Sequence, residues 1–217
     1  MSLYRNLTQE QVVLRDTVRL FAEEYINPLV QELDEKEQFS IELTQKYSEL
    51  GFLGVFLPEI YKGLSLDYLS YLIIIEEIAR VDASQAATIA AQNSFGIAPI
   101  LSFGSEKQKN DYLPKLAKGN LWSFGITEHI SGSDIGTIET KAEKKGRKNW
   151  ILNGSKAFVT NAATEISIGT TILALTKNKI NKKTKEIIKE YSLFLVDKDI
   201  PGYRISPVKN RMMWRAS

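Results

Sequence analysis

Two short segments of the sequence carry residues whose types and spacing suit the binding of a ligand. The first, here called the Phe124 segment, runs from Phe124 to Asp134 and contains Thr127 followed by Gly132-Ser133-Asp134. Hydroxyl side chains and small residues allow backbone N–H groups to approach a ligand and form a nest for an anion. The pattern is weak on its own, because a capped turn in which Asp134 accepts from nearby N–H groups has the same composition.

The second, here called the Phe158 segment, runs from Leu152 to Asn161. We predict a hairpin turn at Asn153-Gly154 and then a strand that places Phe158 and Thr160 on one face. An aromatic ring beside a hydroxyl suits a planar heteroaromatic ligand, because the ring gives contact area and the hydroxyl meets a ring nitrogen or oxygen. The alternative is that Phe158 belongs to the core and Thr160 bonds to its own neighbours.

Together the two segments resemble the signature of the acyl-CoA dehydrogenase family, and the resemblance extends over essentially all 217 residues. The matching positions within the segments are Thr127-Glu128, Gly132-Ser133-Asp134, Asn153-Gly154-Ser155-Lys156 and Thr160-Asn161. The matching stretches elsewhere are Leu7–Gln11, Gly104–Gln108, Pro201-Gly202 and Met213–Ser217.

The resemblance implies that the protein binds FAD. In the Phe124 segment, Phe124 begins the stretch that runs along the flavin, and Ile126 and Thr127 would contact its isoalloxazine ring. Ser133 would lie where the flavin pyrophosphate meets the thioester arm of acyl-CoA. Ser133 is therefore predicted to bind both cofactor and substrate.

In the Phe158 segment, the resemblance implies that Phe158 packs on the flavin ring and that Val159 and Thr160 contact its reactive edge. The family often has Trp at the position of Phe158, so the stacking is kept while the indole donor is lost. His129 and Ile130 replace the usual Pro and small residue. We expect His129 to be an exposed loop residue, and Ile130 either to narrow the acyl pocket or to point to solvent.

The resemblance also implies the reaction: α,β-dehydrogenation of an acyl-CoA thioester to the trans-2-enoyl-CoA, with electrons passed to electron-transfer flavoprotein. In the family a glutamate of a C-terminal helical domain removes the α-proton, so we expect the base beyond Ser217 and predict no catalytic residue in this chain. Glu128 belongs to the motif but is not that base in the family. We expect these residues alone to bind FAD weakly and to be inactive, and the full-length protein to be a homotetramer.

Other functions stay open at the level of sequence. A non-catalytic truncated paralogue that acts as a binding or assembly subunit would share the motifs. So would a dehydrogenase of acyl groups on a carrier protein, and acyl-CoA oxidases share the architecture but react with oxygen.

Two kinds of secondary structure must position the Phe124 and Phe158 segments, and the chain changes from one kind to the other near residue 120. We predict an N-terminal all-α helical bundle over 1–120 and a small antiparallel β-barrel over 121–217, with the C-terminal helical domain of the family missing. Helix starts are predicted at Thr8, Asp67 and Ser105, and an alanine-rich helix over Ala83–Ala98. The apolar stripes of three of the helices are Leu14, Val18, Phe21 and Tyr25; Leu43, Tyr47 and Leu50, ended by Gly51; and Tyr68, Leu72, Ile75 and Ile78.

Short strands between turn signals are predicted in the second part of the chain. They are Trp122–Ile126, Trp150–Leu152, Ala157–Val159, Ile168–Leu175 and Tyr191–Val196, with turns at Gly146, Asn153-Gly154 and Pro201-Gly202. The lysine-rich stretch Lys177–Glu190 reads as a solvated hairpin tip, with a phosphate-binding patch as the alternative.

Composition excludes several classes of site. The chain has no Cys and one His, which excludes disulfides, thiolate chemistry and multi-His metal centres. The formal net charge is +2, from 28 basic and 26 acidic residues, and gives no electrostatic argument for nucleic acid. No stretch is apolar enough to be a membrane span or a secretory signal, so we expect a cytoplasmic protein.

Overall fold

The structure, a computed structural model, describes residues 6–147, 149–180 and 187–217. Helices occupy the first part of the chain and a β-sheet the second, as predicted. The α-helices are α1 Gln9–Phe21, α2 Val30–Lys36, α3 Ile41–Glu49, α4 Tyr68–Ala79, α5 Ala83–Ala91, α6 Ala98–Phe103 and α7 Glu106–Ala117. The β-strands are β1 Leu121–Gly125, β2 Lys141–Lys145, β3 Asn149–Asn153, β4 Ser167–Ile180 and β5 Ile187–Asp197.

The predicted helix starts are confirmed. Thr8 and Ser105 form capping boxes at α1 and α7, and the Asp67 carboxylate accepts from the Ser70 N–H at 2.7 Å at the start of α4. Each cap satisfies backbone N–H groups that have no partner inside the helix. The predicted end of α3 is also confirmed, because Gly51 follows it with φ of 75°, a conformation that favours glycine.

The alanine-rich helix is interrupted by a π-helical turn, Gln92–Ile97, between α5 and α6. The Gln92 side chain lies at this turn and bonds across to the start of β1: its amide donates to the Asn120 carbonyl at 3.0 Å, and its Oε1 accepts from the Trp122 N–H at 3.0 Å. Such turns often mark functional positions. Here the turn connects the helices to the strand that leads into the Phe124 segment.

The predicted buried face of α4 is only partly correct. Ile73, Ile74 and Ile78 are buried, whereas Tyr68 and Leu72, which were predicted to share that face, are 67% and 57% exposed. Residues 71–75 of α4 are apolar on every side of the helix, so periodicity alone does not select the buried face.

The sheet is mixed, and this corrects the prediction of an antiparallel barrel. The described strands form one sheet centred on β4, which pairs antiparallel with β5 and parallel with β1 and β2. The β2–β3 hairpin is antiparallel. Residues 126–166 separate β1 from β4, a connection long enough for the crossover that parallel pairing requires.

Two local predictions in this part are wrong and one strand was missed. Residues 154–160 form a loop in place of the predicted Ala157–Val159 strand, and Asn153-Gly154 ends β3 without forming a hairpin. β2 was missed because four of its five residues are charged and only Ala142 is buried. The turns at Gly146 and Pro201-Gly202 are confirmed.

The lysine-rich stretch lies at the end of the β4–β5 hairpin. Its described parts, 177–180 and 187–190, pair with each other across the two strands. The predicted tip itself, 181–186, lies outside the described residues. The strand pairing agrees with the hairpin interpretation of this stretch.

The helical and sheet parts pack against each other through Trp122 of β1. Its indole is fully buried, donates to the Thr171 hydroxyl at 2.8 Å, and lies 4.8 Å from the Tyr112 ring of α7. The predicted domain boundary at residue 120 stays a prediction; α7 ends at Ala117 and β1 begins at Leu121. Within the described ranges, no helix is both long and apolar enough to cross a bilayer.

Candidate functional site

The Phe124 and Phe158 segments lie side by side at the end of β1. The Ala157 N–H donates to the Thr127 carbonyl at 2.8 Å, and the Lys156 ammonium donates to the Ile126 carbonyl at 2.9 Å. These bonds connect two parts of the chain about thirty residues apart in sequence. The structure therefore brings together the two segments that the sequence singled out.

Glu128 fixes the first turn after β1. Its carboxylate accepts from Lys156 Nζ at 2.7 Å, from the Thr140 hydroxyl at 2.5 Å, and from the backbone N–H groups of Glu139 and Thr140 at 2.8 and 3.0 Å. The side chains of Glu128 and Lys156 are each 7% exposed. A buried carboxylate requires such donors, because an unpaired charge away from water is costly.

These contacts set the protonation state of Glu128. Burial by itself would raise the pKa of its carboxyl, but the Lys156 ammonium, the Thr140 hydroxyl and the two backbone N–H groups outweigh burial and lower the pKa to about 2. Glu128 is therefore an anion at neutral pH. It is a poor general base, because all its donors stabilise the charged form.

The remainder of the Phe124 segment is a compact turn. Glu128 and Ser131 exchange backbone hydrogen bonds, which places His129 and Ile130 at an exposed tip. The prediction that His129 is exposed is confirmed, and Ile130 points to solvent with 63% exposure. Asp134 accepts from the Gly136 N–H at 2.9 Å, as the capped-turn interpretation predicted.

A small hollow of about 50 Å³ lies between β1, the π-helical turn and the Phe158 segment. Three predicted site residues, Phe124, Phe158 and Thr160, line it. The remaining lining residues are Ala91, Phe95, Trp122 and Ser123. The walls are mostly aromatic, a composition common to sites for planar ligands.

Phe158 is the most unusual residue of this site. Its φ is 56°, in the left-handed region that a bulky residue rarely adopts, and it is 77% exposed. The exposure of Phe158 excludes the core role considered for it. Its positive φ excludes the strand that was to align it with Thr160. The ring instead stands at the surface beside the hollow, free to contact a ligand.

One hydroxyl in the wall of the hollow and one backbone N–H at the junction of the two segments lack a partner among the described residues. The Ser123 hydroxyl is buried and makes no hydrogen bond. The Thr127 N–H also has no acceptor within the part of the chain that the structure describes. Buried polar groups are usually paired, so the open Ser123 hydroxyl in the wall of an aromatic hollow fits a polar, planar ligand.

The other predicted residues lie around this arrangement. Ile126 and Thr127 are half-buried at the junction of the two segments, and Val159 is half-buried between Phe158 and Thr160. Ser133 is exposed. Chemical reasoning from the sequence missed Ser123 and Phe95, because both acquire their roles only through packing against distant residues.

Two family models match almost the whole chain. Residues 8–120 match the family model described as acyl-CoA dehydrogenase, N-terminal domain, and residues 123–216 match acyl-CoA dehydrogenase, middle domain. The chain belongs to the acyl-CoA dehydrogenase family. An acyl-CoA dehydrogenase of Bacillus subtilis (strain 168) is 36% identical over 209 residues, which cover 95% of this chain and 52% of the relative.

Two solved structures share the fold of this chain. Glutaryl-CoA dehydrogenase from Mycobacterium smegmatis in complex with FADH2 has a TM-score of 0.87 and 30% identity, covering 97% of this chain and 51% of that one. A chain in the structure of the electron transferring flavoprotein of Acidaminococcus fermentans has a TM-score of 0.85 and 35% identity, covering 100% and 54%. The chain thus spans about half the length of the relatives it matches.

Proposed function

We propose that this chain provides part of the FAD and acyl-CoA site of an enzyme that dehydrogenates acyl-CoA thioesters to trans-2-enoyl-CoA. The observation that carries the proposal is Phe158, a large ring held in a left-handed backbone conformation and 77% exposed beside an aromatic hollow. Strained backbone conformations of bulky residues cluster at ligand-binding and active sites, which supports a functional role for this ring. Family membership and the FADH2 complex of the M. smegmatis relative support FAD as the planar ligand.

The residues present fit such a ligand. Phe158 and Phe124 offer aromatic surface, and Ile126 and Val159 offer apolar contact beside them. The hydroxyl of Thr160 and the N–H of Thr127 offer donors to ring nitrogen or oxygen atoms.

Ser133 would contact the flavin pyrophosphate and the thioester arm. Its exposure at the rim of the turn leaves it accessible to both. FAD, when bound, supplies the acceptor for the hydride that leaves the β-carbon of the substrate. The chain's own residues orient the ring and exclude water from one of its faces.

The base that removes the α-proton is proposed to lie outside these 217 residues. Glu128 lies at the junction of the two segments, but its oxygens already accept from four donors and its pKa is lowered to about 2. A base must be able to hold a proton near the working pH. We therefore propose that this chain alone binds FAD weakly and does not dehydrogenate.

Acyl-CoA is the proposed substrate and electron-transfer flavoprotein the proposed electron acceptor. The relatives support the substrate class, and the A. fermentans structure, described as an electron transferring flavoprotein, supports the acceptor. A homotetramer is proposed for the full-length protein, by analogy with the family.

The test is a titration of the 217-residue chain with FAD, followed by addition of acyl-CoAs of different chain lengths. We expect quenching of FAD fluorescence at high protein concentration and no bleaching of the flavin absorbance by substrate. Bleaching would contradict the placement of the base, and FAD fluorescence that does not respond to the chain would contradict the site itself.

A further inference from the structure

A buried ion pair connects the two segments that the proposed function assigns to FAD. Lys156 extends from the Phe158 segment, and its Nζ lies 2.7 Å from Glu128 Oε1 and 2.9 Å from the Ile126 carbonyl oxygen in the Phe124 segment. One ammonium therefore bridges two successive parts of the facing segment. Since the lysine side chain is 7% exposed, water competes little for these bonds.

The pair is anchored from a third direction by Thr140. Its hydroxyl and N–H both donate to Glu128, and a Cβ on Gly154 would lie only 2.4 Å from the Thr140 hydroxyl oxygen. Glycine is thus required at position 154 for this close approach. The Phe158 segment is therefore held both through Lys156 and by its packing on Thr140.

The lysine also fixes the direction of one peptide group. There are no cis peptide bonds among the described residues, and in a trans peptide the carbonyl and the N–H point in opposite directions. Because the Ile126 carbonyl points to the ammonium, the Thr127 N–H points away from it. That N–H is the donor left without an acceptor among the described residues.

We propose that Lys156 and Glu128 are positioning residues for FAD, which set the distance between the two segments and turn the Thr127 N–H towards an acceptor of the bound cofactor. This inference rests on the proposed function. It differs from a purely structural role in one respect: loss of the ammonium should change cofactor affinity even where the protein remains folded.

The experiment compares Lys156→Met, which keeps the length of the side chain and removes the ammonium, with Lys36→Met. Lys36 forms an exposed ion pair with Glu32, in which both side chains are 59% exposed. FAD affinity is measured by fluorescence quenching, and amide hydrogen exchange is measured at Ala157 and Thr140. We expect Lys156→Met to weaken FAD binding about tenfold or more and to accelerate exchange at both amides, and Lys36→Met to change neither.

Two further variants separate positioning from folding. Lys156→Arg keeps a buried cation and should restore FAD affinity to within about threefold of wild type. If Lys156→Met does not fold, Glu128→Gln is used in its place, because it keeps the shape of the side chain and removes the charge. It should weaken FAD binding about threefold or more without loss of the native circular dichroism spectrum.

The outcomes separate the two proposals. If the wild-type chain does not bind FAD, the proposed function fails, and amide exchange at Ala157 and Thr140 still decides whether the pair orders the segments. The deciding variant is Lys156→Met, or Glu128→Gln if Lys156→Met does not fold. The positioning role is overturned if this variant has the same amide exchange as wild type. It is also overturned if wild type binds FAD and the variant binds it with the same affinity. Failure of Lys156→Arg to restore affinity would also count against it.

Discussion

Phe158 has a strained backbone that lowers the stability of the fold and holds an aromatic ring at the protein surface. A non-glycine residue in the left-handed region costs about 1 kcal/mol or more, and a ring that is 77% exposed recovers little of that cost by burial. The neighbouring Asn161 also has a positive φ, of 67°, and its buried Oδ1 has no hydrogen-bond partner among the residues that the structure describes. Strain and an unsatisfied atom thus both lie in the Phe158 segment, where the proposed site is.

This balance leads to a prediction for Phe158→Ala. Because the ring contributes little to the folded chain, the free energy of unfolding should change by no more than about 0.5 kcal/mol in urea. The affinity for FAD should fall about tenfold, because a stacked aromatic contact is lost. A large loss of stability with unchanged FAD affinity would show that Phe158 is a structural residue.

Glu128 gives a prediction about pH. Its pKa is lowered from an ordinary 4.5 to about 2 in the folded chain, so its contribution is complete above pH 4.5 and is lost as pH falls towards 2. The difference corresponds to about 3 kcal/mol. The free energy of unfolding is measured in urea from about pH 6, above this window, to about pH 3, within it. Wild type should lose stability more steeply over this range than Glu128→Gln. Equal slopes for the two proteins would contradict the lowered pKa.

At the scale of residues, the sequence revealed which positions belong together but not how they are oriented. The match of Thr127-Glu128 and Ser155-Lys156 to one motif placed them in a common site, and the hydrogen bonds join them. It did not reveal that the Phe158 backbone is left-handed, because the strand alternation assumed there requires an extended backbone at every residue.

At the scale of elements, α4 has an apolar surface wider than its buried face. Ile73, Ile74 and Ile78 pack inside, while Leu69 and Leu72 are 45% and 57% exposed. Local signals such as the Asp67 cap predicted where the helix begins, because a cap depends only on adjacent residues. The buried side could not be predicted, because it depends on which helices pack against α4.

Two substitutions in α4 test this assignment. Ile74→Ala should lower the free energy of unfolding by about 3 kcal/mol, because Ile74 is fully buried and the smaller side chain leaves a cavity in the core. Leu72→Ala, two residues away, should change it by about 0.5 kcal/mol or less. Urea denaturation of both variants provides the measurement, and comparable losses would mean that the Leu72 side of the helix is covered in solution.

The sheet shows the same division between local and long-range information. The β4–β5 hairpin was visible from two apolar runs around a polar stretch. β2 was not, because its pattern is charged and its place in the sheet depends on contact with β4 at Leu175. The parallel pairing of β1 with β4 likewise depends on the course of the connection between them, which strand propensity does not encode.

At the scale of the whole molecule, the helical and sheet parts are joined close to the proposed site. Gln92 in the π-helical turn bonds to the start of β1, and Tyr112 of α7 donates to the Asp197 carboxylate of β5 at 2.9 Å. The pKa of Tyr112 is raised to about 12 by burial and by this bond. Both contacts flank Trp122, whose strand continues into the Phe124 segment, so the join determines where that segment lies.

The contact between the helical and sheet parts can be tested, because tryptophan fluorescence reports on the sheet part and circular dichroism reports on the helical part. All 3 Trp residues, Trp122, Trp150 and Trp214, follow the helical part, while far-UV circular dichroism reports mainly on the helices. In wild type we expect urea unfolding by both signals to coincide. Tyr112→Phe keeps the ring against Trp122, loses the bond to Asp197, and should cost about 1 kcal/mol.

A double-mutant cycle with Asp197→Ala should give a coupling energy of about 1 kcal/mol, because the two side chains are direct partners. Tyr203→Phe serves as the matched control, since its hydroxyl bonds to Thr170 within the sheet part. Tyr203→Phe should lower stability while the fluorescence and circular dichroism transitions still coincide. Tyr112→Phe should begin to separate the two transitions. A coupling energy near zero would mean that the Tyr112–Asp197 bond does not hold the sheet, and with it the proposed FAD site, against the helices.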